Sequence, residues 1–210
     1  MNSYKIIDES KWNRNFHAKI FRNSVEPAFC ITFELEITDF LEFVRAQKLS
    51  FTMSLIYAAA SAANSIENFR YRFLDGKIVL FDKVDTAFTY LDKETELFKV
   101  VSVPFEGSLR EYAERASKAA INQKAYFTGP LGNDVFAFSS LPWISYTHIS
   151  HTNSGAKDNA TPLFDFGKYF ERDGKTFIPF SVQAHHSFVD VLHVGRFAEA
   201  LQKSVRELVW

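Results

Sequence analysis

The 210-residue sequence predicts an α/β protein, a two-layer sandwich in which helices pack on a large mixed β-sheet. Three observations carry this. Segments rich in β-branched and aromatic residues outnumber helical ones, and two pairs of them are joined by tight turns. A few stretches instead repeat apolar residues at helical spacing. The eight glycines never fall in a G-x-G-x-x-G or G-x-x-x-x-G-K spacing, which argues against a doubly wound nucleotide-binding sheet.

Taken in order, residues 28–37 form the first strand. A helix over 39–47 follows, with Phe40, Leu41, Phe43 and Val44 on one side and Thr38 as its cap. Residues 52–64 are nearly all apolar or small, which suits a helix buried on most faces. Strands over 69–74 and 77–81 flank Asp75-Gly76, a dipeptide that favours the two-residue hairpin turn. Strands over 84–92 and 97–103 precede a charged, alanine-rich helix over 108–123, and another strand spans 134–143. Asp173-Gly174 repeats the hairpin device between strands 164–170 and 175–184. The last helix, 191–208, turns Val194, Phe197, Ala198, Leu201, Val205 and Leu208 inward and Glu199, Lys203 and Arg206 outward. No repeat, low-complexity run or linker divides residues 1–210, which reads as a single domain.

Composition removes several function classes. The 24 basic and 25 acidic side chains balance, so no nucleic-acid or membrane-surface partner is indicated. The longest apolar tract, around residues 55–63, is too short to span a bilayer, and the first residues lack the apolar core of a signal peptide. Cys30 is the one cysteine, which excludes an internal disulfide and fits a reducing, cytoplasmic setting. The unusual entry in the composition is 23 phenylalanines, pointing to wide aromatic packing or an aromatic pocket.

Chemistry concentrates in His185-His186-Ser187-Phe188-Val189-Asp190, which closes an apolar strand and opens a helix. An imidazole there can serve as a general base, because it titrates near neutral pH. The plainer role is a histidine satisfied by backbone at a strand end. Adjacent strand residues face opposite ways, so at most one of the two histidines serves a given site. Asp190 suits a helix cap, and equally an ion pair with an arginine that fixes the turn. Ser139 and Ser140 end a strand, where a hydroxyl can donate to an oxyanion or simply cap the turn before Pro142. Neither has the glycine elbow of a hydrolase nucleophile. His148, His151 and His193 show no metal-ligand spacing, so no metal is expected.

Read together, these segments resemble the chloramphenicol O-acetyltransferases over almost the whole chain. The resemblance is carried by Trp12-Asn13-Arg14, Phe69-Arg70 with Asp75-Gly76, Glu94-Thr95-Glu96-Leu97-Phe98 and Ser139-Ser140-Leu141-Pro142-Trp143. It continues through Gly167-Lys168-Tyr169, His185-His186-x-x-x-Asp190 and His193-Val194-Gly195-Arg196-Phe197. It implies an acetyl-CoA-dependent O-acetyltransferase without a covalent enzyme intermediate, with chloramphenicol or a related hydroxyl compound as acceptor. In that family His186 would be the base, Ser139 the oxyanion donor, and Asp190 with Arg14 a structural pair. Phe21 and Phe29 would line the acceptor pocket. The resemblance further implies a homotrimer with sites at subunit interfaces, and a role in antibiotic resistance.

Three departures stand out. Val191 takes the place of the glycine that usually follows the aspartate, and valine is bulky and stiff. Asp165 replaces a threonine that supports the transition state, and an ionised carboxylate beside a developing oxyanion is unfavourable. Residues 147–155 are more polar than the apolar stretch the family places beside the antibiotic. Two other readings therefore stay open: a catalytically degenerate protein that binds CoA or an aromatic ligand, and a dihydrolipoamide acyltransferase-like core.

Overall fold

The computed structural model describes residues 2–129, 132–151, 156 and 158–207. Its elements are β1 (Tyr4–Ile6), α1 (Asn15–Arg22), β2 (Ala28–Glu36), α2 (Thr38–Ala46), α3 (Phe51–Asn64), β3 (Tyr71–Leu74) and β4 (Lys77–Phe81). There follow β5 (Asp85–Leu91), β6 (Phe98–Val103), α4 (Leu109–Asn122), β7 (Val135–Ser140), β8 (Leu163–Phe166), β9 (Phe170–Arg172), β10 (Lys175–His185) and α5 (Val191–Glu207). The large sheet runs β2-β10-β8-β7-β5-β6, with β9 hydrogen-bonded to β10; a small sheet runs β1-β4-β3. Within the large sheet β5, β7 and β8 are parallel and the other pairings antiparallel, so the sheet is mixed as expected.

Local chemistry explains the elements. Both hairpins form at the Asp-Gly pairs, where Asp75 and Gly76 (φ 49° and 76°) and Asp173 and Gly174 (φ 52° and 72°) take the left-handed conformation that a two-residue turn requires. Ser50 caps α3 by accepting from the Met53 N–H, and Ser108 with Glu111 forms a reciprocal capping box at α4. Four expectations need correction. Thr38 is not the cap of α2 but its first residue, and its hydroxyl instead accepts from the Thr176 N–H at 3.0 Å. Residues 67–70 form a 3₁₀ turn rather than strand. The strand expected over 164–170 breaks at Gly167, where a Cβ would sit 2.7 Å from the Ile144 carbonyl oxygen; only glycine allows that crossing. The strand expected over 134–143 stops at Ser140. The end expected for α5 at Leu208 lies outside the described residues.

The sheet's two faces divide the labour. Toward the helices, Phe33, Phe164, Phe166 and Phe180 of β2, β8 and β10 pack around Phe69 and around Phe197 of α5, with Phe164 and Phe197 ring centroids 5.1 Å apart. Most of the phenylalanine excess is this core. On the opposite face, Thr32, Ser181, Asp165 and Ser139 lie side by side in register across β2, β10, β8 and β7. Thr89 of β5 continues the row, its hydroxyl 3.4 Å from that of Ser139. Among the described residues no helix is long and apolar enough to cross a membrane.

Candidate active site

At the end of β10 the chain turns sharply, with the N–H groups of Phe188 and Val189 both donating to the His185 carbonyl at 3.0 and 3.1 Å. The two histidines part company here, as the strand alternation requires. His185 is buried at 3% exposure, accepts from the Ser187 N–H through Nδ1 at 3.1 Å, and meets Phe73 edge-on. His186 faces the other way with its side chain one-third exposed. Its N–H donates to the Pro27 carbonyl at 2.8 Å, while its ring stacks on Phe21 at 3.8 Å and 10° and leans against Phe29 at 4.9 Å.

Arg14 locks this turn from α1's N-terminal end. Its Nη1 and Nη2 each donate to one Asp190 oxygen at 2.6 Å, Nη2 also to the His186 carbonyl at 2.8 Å, and Nε to the Ser187 carbonyl at 2.7 Å. This fork-on-fork pair is the strong, orienting kind. It holds the Asp190 carboxyl below the usual range, with Arg14's hydrogen bond outweighing the opposing effect of burial. Asp190 Oδ1 lies 3.0 Å from His186 Nδ1, a close approach without hydrogen-bond alignment. Asp190 also stands at the start of α5: its carbonyl accepts from the N–H groups of His193 and Val194, and its own N–H donates to His193 Nδ1 at 2.8 Å. Val191 opens α5 without a positive φ and is 62% exposed, so the turn accommodates valine.

Ser139 sits elsewhere. It is half-buried near the end of β7 and lines a cavity of about 940 Å³ with Thr89, Tyr90, Trp143, His151 and Leu163, none of which belongs to the His186 turn. From Ser139 the register leads across β8 to Ser181, and His186 lies five residues further along β10. At strand spacings that is about 16 Å along the sheet and about 10 Å across it. One chain does not bring the histidine and the serine together.

Asp165 neighbours Ser139 in register, is wholly buried, and bonds His151 Nε2 through Oδ2 at 2.7 Å. Burial raises its carboxyl above the ordinary value against the opposing pull of His151, and the hydrogen bond to Asp165 raises the His151 imidazole. Each group is thus moved toward its protonated form, and Asp165 Oδ2 is taken up by His151. His151 belongs to the polar segment noted in the sequence; residues 152–155 of that segment lie outside the described residues. Apolar periodicity in the sequence does not mark α1, which brings Arg14 and Phe21 to the turn, and gives Thr89 no role; His151, weighed there only as a metal ligand, lies beside Asp165 instead. The motif Trp12-Asn13-Arg14 was the available signal for the first.

The sequence model of chloramphenicol acetyltransferase matches residues 1–202. The chain belongs to the chloramphenicol acetyltransferase family. A chloramphenicol acetyltransferase from Klebsiella sp is 30% identical over 207 residues, covering 97% of this chain and 94% of the relative. One from Escherichia coli is 28% identical over 206 residues with the same coverage. A solved chloramphenicol acetyltransferase structure superposes with a TM-score of 0.87 at 26% identity, covering 96% of this chain and 99% of the other. A probable dihydrolipoamide acetyltransferase from Listeria monocytogenes, at a TM-score of 0.66 and 16% identity over 92% of this chain and 89% of the other, shares the fold alone. Family membership places the chain among acetyltransferases.

Proposed function

We propose that this chain is an acetyl-CoA-dependent O-acetyltransferase that acetylates a hydroxyl of chloramphenicol or a related small molecule. The observation that carries the reading is His186 itself: an imidazole stacked on Phe21, its main chain clamped by Arg14, with Asp190 3.0 Å from Nδ1. With the Nδ1 edge turned to that carboxylate, Nε2 is the nitrogen available to take a proton. It removes the acceptor's hydroxyl proton as the oxygen attacks the thioester carbonyl of acetyl-CoA. The tetrahedral oxyanion accepts a hydrogen bond from Ser139 Oγ, an interaction stronger in the transition state than in the ground state. Collapse breaks the C–S bond, and the departing CoA thiolate takes the proton back from His186. Acyl transfer runs directly between the two substrates, with no covalent enzyme intermediate. Phe21 and Phe29, the rings against His186, supply an apolar wall for the acceptor.

His186 and Ser139 work in one reaction only if they come from different copies, and their separation within a chain supports a homotrimer with sites at subunit interfaces. Acetyl-CoA is the co-substrate, no metal takes part, and the enzyme acts in the cytoplasm, consistent with its single half-buried cysteine. The degenerate-binder reading loses one of its two supports, since Val191 takes its place without a positive φ; the other, Asp165, is hydrogen-bonded to His151. Thiol release from acetyl-CoA with chloramphenicol as acceptor tests the proposal. The expected result is turnover in the native protein and its collapse in His186→Ala; CoA binding without turnover in the native protein would overturn it in favour of the degenerate binder.

A further inference from the structure

Backbone polar groups taken out of water need partners, and in the turn that carries His186 those partners are specific. The N–H groups of residues 186 to 190 go in turn to the Pro27 carbonyl, His185 Nδ1, the His185 carbonyl twice, and His193 Nδ1. The carbonyls of His186 and Ser187 go to Arg14, and that of Phe188 to the Asn68 side-chain amide at 2.8 Å. An imidazole therefore receives an N–H at each end of the turn. The one at the exit, His193, has no part in the reaction as drawn.

Asp190 stands where a helix N-cap stands, and His193 follows three residues later, where a capping box places a Glu or Gln that reaches back to the cap's N–H. Here the imidazole does so: the Asp190 N–H donates to Nδ1 at 2.8 Å, and the His193 N–H donates to the Asp190 carbonyl at 2.9 Å. In an ordinary capping box the cap's own side chain would accept from that second N–H. Both Asp190 carboxylate oxygens are instead bound by Arg14. His193 thus secures the start of α5 and leaves the carboxylate to the arginine that fixes the turn. A backbone N–H only donates, so the geometry makes Nδ1 an acceptor and puts the ring hydrogen on Nε2. An imidazolium carries hydrogens on both nitrogens, and protonation would set two N–H groups against each other. The ring is 9% exposed and sits at the positive end of α5; Arg14 and Arg196 also oppose a cation there, and Asp190 favours one. Burial first, then the charge of Arg14, holds the imidazole below its ordinary value.

We propose that His193 is a positioning residue for the base: its neutral imidazole caps the Asp190 N–H, keeps the Asp190 carboxylate on Arg14, and so holds the His186 turn in place, and protonation of the ring releases that hold. The kinetic part of the proposal rests on the O-acetyltransferase reading above, and the capping part is measured without it.

Two variants of the full-length protein separate the roles. His193→Gln supplies the ordinary capping-box acceptor and does not titrate; His193→Leu fills the space without an acceptor. Nitrogen NMR of the native imidazole at about pH 7.5 should show a bare Nδ1 and a hydrogen on Nε2. Amide exchange at Asp190 should be slow in the native protein and in His193→Gln, and at least about 10-fold faster in His193→Leu. In CoA-release assays with chloramphenicol, His193→Leu should lose about 10-fold in kcat, with most of it restored in His193→Gln. The pH profile is the readout that a plain helix cap would not move. As pH falls, the native log(kcat/KM) should steepen toward a slope of about two as His186 and then His193 take protons, whereas His193→Gln should stay near about one. A hydrogen on Nδ1 in the native protein overturns the proposal even if His193→Leu fails to fold. Glutamine and leucine variants alike in exchange, or a native profile no steeper than that of His193→Gln, overturn it as well. Absence of CoA release from the native protein defeats the acetyltransferase reading instead, and the exchange contrast would then uphold the cap alone.

Discussion

Arg14 and Asp190 are joined by two parallel hydrogen bonds of 2.6 Å, and the same guanidinium reaches the carbonyls of His186 and Ser187. One arginine, 176 positions upstream of its carboxylate, thereby fixes the backbone on which the proposed base is mounted. Arg14→Ala leaves two carbonyls and a carboxylate without their donor. Because the Asp190 side chain is 38% exposed, solvent screens part of the lost attraction, and the expected cost is about 1–3 kcal/mol rather than the full penalty of a buried pair. Arg14→Lys should recover little, since an ammonium cannot match the fork. Urea unfolding midpoints with kcat for the same proteins measure both effects.

The pH dependence of that clamp follows from Asp190, whose carboxyl is held below its ordinary value chiefly by the Arg14 hydrogen bond. A carboxyl depressed in the folded state contributes stability that is fully present above its unfolded pKa and is lost as pH falls through the lower folded value. The coupling between Arg14 and Asp190, read from a double-mutant cycle of unfolding free energies, should therefore be constant from pH 7 down to about 5, begin to fall near the ordinary carboxyl value of about 3.9, and vanish only below the lower folded value. A coupling already absent at pH 5 would contradict the assignment.

Phe21 lies flat on His186, 3.8 Å between centroids, and acts on the base through packing. His186→Ala should abolish turnover by a factor of about 100 to 10,000, the range general-base catalysis supplies. Phe21→Ala should be milder, about 10-fold in kcat/KM, because the imidazole keeps its backbone anchor at Pro27 but loses the ring that fixes its χ angles. Steady-state kinetics with chloramphenicol distinguishes the two.

The parts of this structure that sequence made legible are those written locally. Asp75-Gly76 and Asp173-Gly174 mark hairpins because positive φ is demanded at those positions, and α3 and α5 show their apolar spacing in a single window. Helix α1 had no such signature: it is eight residues long, lacks a side-chain cap, buries Ala18 and leaves Phe16 and Ile20 exposed. What no window can hold is register. Ser139, Asp165 and Ser181 become neighbours through strand pairings between distant segments, and the His151–Asp165 contact depends on where residues 141–151 cross the sheet. The motif His185-His186-x-x-x-Asp190 pointed to the turn, whereas the distance from it to Ser139 is a property of the sheet.

Ser139 receives the Thr89 hydroxyl hydrogen at 3.4 Å, a long contact that orients rather than binds the serine. Ser139→Ala should lower kcat by about 100-fold with KM for the acceptor little changed, the pattern of a donor used only in the transition state. Thr89→Val removes the orienting hydroxyl alone and should cost less than about fivefold. A raised KM for the acceptor with kcat unchanged in Ser139→Ala would place the serine in ground-state binding instead.

Arg72 is the largest polar side chain sealed in the interior, 1% exposed, and its role is architectural. Its guanidinium donates to the carbonyls of Phe69, Tyr71, Asn133 and Val135 at 2.7 to 3.0 Å, tying β3 of the small sheet to β7 of the large one. Burial pulls its pKa down, yet with four carbonyl acceptors and Asp134 favouring the cation it remains charged at neutral pH. Arg72→Met keeps the apolar stem and orphans four carbonyls, so the expected destabilisation is about 3–5 kcal/mol, and Arg72→Lys should rescue only part because three N–H groups cannot cover the same fork. Because Arg72 binds the strand that leads to Ser139, local opening should precede global unfolding in a partly destabilised variant. Hydrogen exchange should then show β3 and β7 amides losing protection in Arg72→Lys before those of β10. Uniform loss across the large sheet would mean that the small sheet is not held through this side chain.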